Sequence, residues 1–475
     1  MNKKSETIDL AIVGAGPAGY PAAFRAADLG MKVALIDPRP KPGGVCLFNG
    51  CIPSKVLLHT VKLQAEVQAA AETGLQAEGL TLDPTKLRKW KDKTIRRLTG
   101  GLQQMVKQRG VDYIQGTASF QDRHTLRVST ESGTDRDLSF EQSLIATGSQ
   151  AVRLPGIPED SSRIVTSRQA LELSDIPHRL LVVGGGYIGL ELGQVYAALG
   201  ARVTVVEMLP QLLAGADRDL AEILEKRLRR QFEAILCETK IVGMNEGKEG
   251  VRIRFQGRNA PEQELLFDLV LMAVGRRPDS AGLNLDKLGV ETDRQGFVET
   301  DEQGRTAAEN IFAAGDVAGS PMLAHKATHQ AIAAVEAAAG RRTAFAPQAI
   351  PCVVFTDPEV AWTGLTEQEA RQQGSKVKVA KFPWAASGRA ATLGRADGLT
   401  KLIVEAESQR VLGAGIAGVN AGELIGQATL AIEMGAVAED LALSIQAHPT
   451  LSETLMEAAE AAAFGQSIHL FKAAP

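Results

Sequence analysis

Two stretches of the chain share one hydrophobic rhythm. Residues 8–37 (IDLAIVGAGPAGYPAAFRAADLGMKVALID) and 179–207 (RLLVVGGGYIGLELGQVYAALGARVTVVE) each open with an apolar run and break at clustered glycines. Each continues as an alanine-rich segment ending in Leu-Gly, then a second apolar run that closes on an acid. The pattern predicts strand, glycine turn, helix and strand twice over. Each acid follows the first glycine of its cluster by 23 residues. One glycine cluster alone is weak evidence for a dinucleotide fold, but two in matching context are strong.

Between the copies, residues 53–109 read as helical, followed by strand-like pieces to residue 150. Strand and turn signals return after Gly296, and a helix is expected over 324–340. From Ile350 the chain carries strands (CVVFTDPEVAWTG, LTKLIVE, VLGAGIAG), then alanine-rich helices over 421–434 and 452–463. The expected fold class is α/β, with two Rossmann-like domains and an α+β C-terminal domain. The expected boundaries are 1–150, 151–277, 278–349 and 350–475.

Composition narrows the field. At about 100–200 residues per domain, 475 residues make two to four domains. A net charge of −4, with 23% charged and 44% hydrophobic residues, is globular and not that of a nucleic-acid binder. No uninterrupted apolar run approaches a membrane span of about 18 residues; the longest, at 180–190 and 411–422, are short and glycine-rich. The first ten residues, MNKKSETIDL, lack the apolar stretch of a signal peptide. Four cysteines cannot make a disulfide scaffold, so the expected compartment is the cytoplasm, with any disulfide catalytic or redox-sensing. Residues 86–97 hold seven bases and one acid, which suits a solvated helix face or, alternatively, docking to an acidic partner.

The glycines carry the first chemistry. Gly14, Gly16 and Gly19 let the backbone approach a pyrophosphate at a helix N-terminus, where N–H groups and the helix dipole favour anions. Asp37 is then placed to accept from a ribose hydroxyl. Gly184, Gly186 and Gly189 repeat the device, with Glu207 at the ribose. An acid there repels a 2′-phosphate, and Met208 and Leu209 supply no arginine to hold one, so NAD is expected over NADP. Arg202 weakens this only slightly. For either copy alone, strand–helix packing would explain the glycines equally well.

The segment GGVCLFNGCIPSK, residues 43–55, sets Cys46 and Cys51 five apart, with Pro53 suited to a first helical turn. A thiol just before a helix N-terminus is stabilised as thiolate, which favours Cys51. Two cysteines held close can cycle between dithiol and disulfide. A pair of small buried hydrophobes is the plainer reading. A zinc half-site is a third, although no second Cys/His pair has suitable spacing and no metal site is expected. Cys237, Cys352 and the Met and Trp residues look like packing.

With these motifs the chain resembles the flavoprotein disulfide reductases, and within them the dihydrolipoamide dehydrogenases of 2-oxo acid dehydrogenase complexes. The likeness runs through GAGPAGY at 14–20, residues 43–55, ATG at 146–148, GGGYIGLELG at 184–193 and VGRRP at 274–278. It continues through FAAGD at 312–316, MLAHKA at 322–327, PEVAWTGLTE at 358–367, FPWAASGRA at 382–390 and AHPTLSE at 447–453. The resemblance implies FAD at the first glycine cluster and NAD at the second, in residues 1–150 and 151–277. Residues 278–349 would complete the FAD site, and 350–475 would form a dimer interface. It places Lys55 near the flavin, paired with Glu191. It assigns Asp316 to the flavin's ribityl or phosphate region, with Ala118, Thr147, Gly148 and Ala324 as further contacts. Tyr187 falls at a nicotinamide gate, and Ile241 and Gly275 at other NAD contacts. His325 and His329, one helical turn apart, then belong to cofactor-side structure.

A histidine before proline is more often a turn residue than a catalyst. The resemblance reverses that for His448, matched to a general base, and for Glu453, the carboxylate that orients it toward the disulfide of the other subunit. It implies a homodimer that takes electrons from the dihydrolipoyl domain of an acyltransferase or H-protein and docks on its complex core. It brings no nucleic acid and no membrane span. Three departures stand out: Phe48-Asn49 replaces the usual Asn-Val, Asp37 a more usual Glu, and Asp279 the usual Asn. The nearest rival is a glutathione-type disulfide reductase, which Glu207 disfavours. Mercuric-ion reductases carry a C-terminal cysteine pair missing here, and a soluble transhydrogenase would lack the redox pair. A mainly structural docking subunit is the rival of another class.

Overall fold

In the computed structural model, residues 7–130, 133, 135–154, 157 and 161–470 are described. Residues 1–6, most of the stretch read for a signal peptide, lie outside them. The chain divides into two units, one of Met1–Leu57, Asp83–Leu154 and Gly275–Ala346, the other of Leu58–Leu82, Pro155–Val274 and Pro347–Pro475.

In the first unit the apolar runs of the first repeat form the parallel strands Ile8–Val13 and Val33–Asp37, joined by the helix Gly19–Asp28. Asp112–Gln115 pairs beside Val33–Asp37, and the long strand Asp135–Ile145 beside Ile8–Val13. That long strand serves two neighbourhoods. Its end runs parallel to Ile8–Val13 and Ile311–Ala313, while its start pairs antiparallel with Thr125–Ser129 and so leads to Thr117–Asp122. Strand Val33–Asp37 is buried throughout, as a parallel sheet covered on both faces requires.

The helical expectation for 53–109 needs correction. Helices Cys51–Ala69 and Pro84–Gln108 are separate, with a 3₁₀ turn Ala70–Thr73 after the first. Gly74 ends the first at φ +93° and Gly79 follows at φ +65°. Asp83 starts the second, its Oδ1 accepting from the amides of Thr85 (2.9 Å) and Lys86 (3.1 Å), with Pro84 in the first turn. Read through α-helix and 3₁₀ turn, residues 44–73 are 30 residues long, and an 18-residue window within them reaches the mean hydropathy of a membrane span, 1.2, although no apolar run there is unbroken. Lys55, Lys62, Glu66 and Glu72 interrupt that stretch.

In the second unit, Arg179–Val183, helix Tyr187–Ala198 and Arg202–Val206 repeat the arrangement inside a five-stranded parallel sheet. From Pro347 onward, the five antiparallel strands Cys352–Val354, Glu359–Gly364, Val411–Gly418, Leu399–Glu405 and Val377–Pro383 pack on helices Ala421–Glu433 and Glu453–Phe464. Trp384 lies at the centre of that core, its indole N–H donating to Thr400 at 2.9 Å. A further helix, Ala438–Leu443, escaped the sequence pattern, being only six residues long. Not every Met and Trp packs inside: Trp90, Met208 and Met434 are exposed, and Cys352 is half-buried.

Lys401, 1% exposed, gathers the carboxylates of Asp217 (2.9 Å), Asp219 (2.9 Å) and Glu367 (2.5 Å), with Lys381 on Asp219 at 2.6 Å. Burial pushes the Asp219 and Glu367 carboxyls up, but their bonds to these lysines outweigh it and hold both below the ordinary value. Groups depressed in the fold stabilise it above the ordinary carboxylate range and stop doing so as pH falls through their folded values. Lys401→Met takes the buried cation from three acids, leaving Asp217 without its lysine and Lys381 alone beside the other two, and is expected to cost about 3 kcal/mol, read from denaturant midpoints at neutral pH. Toward pH ~4 and below, the variant's stability should fall less steeply than the parent's.

Candidate dinucleotide and dithiol sites

In the first unit, Gly14 adopts φ +103°, and a Cβ there would strike the Ala146 carbonyl oxygen at 2.3 Å. Gly19 lets helix Gly19–Asp28 pack over the turn, since its Cβ would meet the Gly14 oxygen at 1.7 Å. Asp37, at the end of the second strand, is buried and clamps the loop. Its Oδ2 accepts from the Ala15 amide at 2.8 Å and its Oδ1 from the Arg39 amide at 2.9 Å. The helix start has no side-chain cap, which leaves its first N–H groups for an anion.

The cysteines are locked against this same loop. Gly43 donates to the Ala15 carbonyl at 2.8 Å, and Gly44, at φ +58°, passes so close that a Cβ would lie 2.4 Å from the Gly16 Cα. Cys46 sits in the short helix Gly44–Asn49, and Cys51 is the first residue of Cys51–Ala69 rather than a residue before it. A hydrogen bond to the Cys51 sulfur, burial and the charge on Cys51 push the Cys46 thiol far up, while Lys55 pulls more weakly the other way. Charge is thereby disfavoured on Cys46, while Cys51 stands at the positive end of a 19-residue helix. Burial, and after it the neighbouring Cys46 and Cys51 sulfurs, push the Tyr20 hydroxyl up. The unusual Phe48 lies under the Arg39 guanidinium at 5.5 Å.

Other expected residues gather in this unit. Thr147 adjoins Gly14, and its Oγ1 is buried with no hydrogen-bond partner among the described residues. Gly148 accepts from the Asp279 amide at 2.9 Å. Ala118 opens onto Val128 in the strand that follows Gly116, whose amide donates to Asp37. Asp316 begins a 3₁₀ turn pinned by Gln330 on the Gly315 amide (3.0 Å) and by buried Lys326 on the Gly319 carbonyl (2.7 Å). Ala324 starts the helix Ala324–Ala338, whose N-terminus also lacks a side-chain cap. Gly275, at φ +119°, accepts from the Val152 amide at 3.0 Å. His325 and His329 are exposed on that helix.

The second unit repeats the clamp. Gly184 has φ +106°, with the Ala273 oxygen 2.4 Å from a notional Cβ. Gly189 would press on the Gly184 oxygen at 2.5 Å. Glu207 accepts from the Gly185 amide at 2.6 Å and the Leu209 amide at 2.8 Å, the counterpart of Asp37. Gly186 is different: nothing lies within 4 Å of its Cβ position, and helix Tyr187–Ala198 starts there uncapped. Gly186→Val is thus expected to fold normally but fill the place in which the motif resemblance puts a pyrophosphate. The KM for NAD should rise on the order of tenfold or more, with flavin content unchanged. Tyr187 is exposed, Ile241 half-buried opposite Phe255, and Glu191 buried, its Oε1 accepting from the Phe355 amide at 3.0 Å.

His448 and Glu453 also meet in this unit. His448 Nδ1 lies 2.8 Å from Glu453 Oε1, while Oε2 accepts from the Thr450 amide at 2.7 Å. Burial works to raise the Glu453 carboxyl, but the Thr450 amide and His448 together hold it below the ordinary value. With Nδ1–H donating to the carboxylate, Nε2 carries the ring's lone pair, on a side chain 77% exposed. A turn of helix further, buried Glu457 pairs with His469 at 2.5 Å, which raises the imidazole's pKa. Neither that pair nor the Tyr20 and Lys326 contacts carries a spacing that a sequence pattern could have marked.

The uncapped helix starts, the open Gly186 position and the orphaned Thr147 hydroxyl suit two dinucleotides. The sequence pattern of the pyridine nucleotide-disulphide oxidoreductases matches residues 8–331, and that of their dimerisation domain 350–459. A dihydrolipoyl dehydrogenase from Vibrio cholerae is 46% identical over 449 residues, 94% of each chain. The chain belongs to the dihydrolipoyl dehydrogenase family. A dihydrolipoyl dehydrogenase from Thermus scotoductus is 44% identical over 467 residues, 98% of this chain and 99% of that one. Among solved structures, LpdA from Mycobacterium tuberculosis matches with TM-score 0.87 at 26% identity, covering 95% of this chain and 99% of that one. The HOCl-induced flavoprotein disulfide reductase RclA from Escherichia coli matches with TM-score 0.84 at 28% identity, again over 95% and 99%. Dihydrolipoyl dehydrogenases are oxidoreductases that use FAD and NAD, as the motif resemblance implied.

Proposed function

We propose that the chain oxidises dihydrolipoyl groups to the lipoyl disulfide, reducing NAD+ to NADH and releasing a proton. The observation that carries this reading is the Cys46–Cys51 pair locked against the first dinucleotide loop by Gly43 and Gly44. Gly14, Gly16, Gly19, Asp37, Ala118, Thr147, Gly148, Asp316 and Ala324 would hold FAD. Gly184, Gly186, Gly189, Glu207, Tyr187, Ile241 and Gly275 would hold NAD, and Lys55 would pair with Glu191 beside the flavin. The four-part division at residues 150, 277 and 349 goes with these assignments.

In the oxidised enzyme the two cysteines share a disulfide. His448 Nε2 takes a proton from the substrate dithiol while Glu453 fixes the imidazole tautomer and stabilises its cation. The substrate thiolate attacks Cys46, and Cys51 leaves as a thiolate stabilised by its helix N-terminus. The second substrate sulfur then displaces Cys46, completing the lipoyl disulfide and leaving both cysteines reduced. FAD supplies the redox chemistry that joins this dithiol to hydride transfer onto NAD+.

The exposed His448 dyad fits a base that serves the cysteines of a second copy, in a homodimer. The matched dimerisation segment and the exposed apolar side chains of Leu430, Met434, Leu443 and Ile445 support that pairing. An active monomer by sedimentation would refute it. The dihydrolipoyl group would arrive on an acyltransferase or H-protein domain, in the cytoplasm. The test mixes purified flavoprotein with dihydrolipoamide and follows NAD+ and NADP+ reduction side by side. NADH formation far ahead of NADPH is expected. Reduction of neither cofactor by a flavin-loaded protein would bring the glutathione-type reading forward.

A further inference from the structure

We infer that Arg276 and Ser149 form a positioning relay that holds Asp316 in the orientation its cofactor contact needs. The inference rests on the reading above that Asp316 faces FAD. The Arg276 Nε donates to the Ser149 hydroxyl at 2.8 Å, and that hydroxyl donates to Asp316 Oδ2 at 2.5 Å. A second Arg276 nitrogen, Nη2, donates to the Ser149 carbonyl at 2.6 Å, so the guanidinium fork grips one residue at two points. Ser149 is buried, and its hydroxyl has one proton to give. The bond from Arg276 polarises that O–H toward Asp316, so the two hydrogen bonds strengthen each other. One carboxylate oxygen is thereby committed to the protein, and Oδ1 is left for a ligand.

The frame around the relay is rigid. Ser149–Ala151 and Arg276–Pro278 pair antiparallel, setting Pro278 opposite Ser149 and Arg276 opposite Ala151. The ladder is extended by Val152 on Gly275 (3.0 Å), Asp279 on Gly148 (2.9 Å) and the Gln150 amide on the Asp279 carboxylate (2.9 Å). The unusual Asp279 therefore has a partner in the same clasp. From the other side, Lys326 and Gln330 fix the backbone of the Asp316 turn. The side chain alone could still rotate, and Ser149 removes that freedom.

Apoprotein titrated with FAD, followed by quenching of flavin fluorescence, tests this without any turnover assay. Ser149→Ala and Arg276→Met are each expected to weaken FAD binding by about tenfold to a hundredfold. Because both act through one chain of bonds, the double variant should bind FAD no more than about twofold more weakly than Ser149→Ala alone. Losses that multiply in the double variant, or parent-like affinity in Ser149→Ala, would overturn the relay. Arg276→Lys keeps the charge but cannot reproduce the two-point grip, and carries the test if a truncation unfolds the apoprotein. It should bind FAD several-fold more weakly at an unchanged apoprotein melting temperature, and parent-like affinity would again refute the relay. Asp316→Asn separates the two layers. Unchanged FAD affinity in that variant sinks the Asp316 reading itself, whereas weakened affinity beside a parent-like Ser149→Ala sinks only the relay.

Discussion

Serine at Cys51 is expected to lower dihydrolipoamide-dependent NAD+ reduction by about 10³-fold or more, as loss of a covalent catalytic group does. A serine hydroxyl cannot form the disulfide, and at neutral pH it holds no charge for the helix N-terminus to stabilise. The geometry also separates the two cysteines. The hydrogen bond to the Cys51 sulfur and burial hold the Cys46 thiol up, and Cys46 is the less exposed of the two; on the proposed mechanism it is the sulfur that substrate attacks. Cys46→Ser should be equally inactive with dithiol but should leave the Cys51 thiolate in place. Rapid alkylation at Cys51 would show this by mass spectrometry. Because Gly43 and Gly44, not the sulfurs, dock this segment on the dinucleotide loop, both variants should retain FAD. Turnover above a tenth of the parent's in either serine variant would remove the pair from the mechanism.

His448→Gln is the second large effect, a drop in kcat/KM of about 10²–10⁴-fold, the usual worth of a positioned general base. Glutamine can still donate to Glu453 but offers no imidazole nitrogen to take the thiol proton. Glu453→Gln should cost less, since the imidazole survives without its anionic partner. The Glu453 carboxyl is held low, so the orienting charge is present through neutral pH and is lost only as pH falls through its depressed folded value. Hydride exchange between NADH and an NAD+ analogue needs no dithiol, so it should be unaffected. If His448→Gln slowed both reactions equally, His448 would be a structural residue and not the base.

Much of this was legible along the chain because it is local. The strand–glycine–helix–strand repeat keeps its whole logic within about thirty residues. Gly14 and Gly184, like Asp37 and Glu207, fall at equal spacings because the same turn and the same clamp must be made twice. The cysteine pair was legible for the same reason: two thiols five apart at a helix start are near neighbours whatever the rest of the chain does. The helical reading of residues 53–109 failed at Gly74, Gly79 and Asp83, where turn and capping chemistry overrides a composition that is helical on both sides. The reading of His448 as a base depended on resemblance, because a His-Pro dipeptide followed by an acid is ordinary sequence.

What the tertiary structure alone decided is long-range pairing. Gly44 must lack a side chain because Gly16 passes it, a fact about two loops meeting and not about either segment. Lys401 binds acids at 217, 219 and 367, and its burial is tolerable only because the fold collects them. Arg276 reaches Ser149, and Ser149 reaches Asp316, across 127 and 167 residues. Amino-acid patterns record what one helix turn or one strand face requires. A hydrogen bond between residues far apart in sequence leaves no periodicity behind, so only the folded backbone, by setting the distances, could show that these side chains act together.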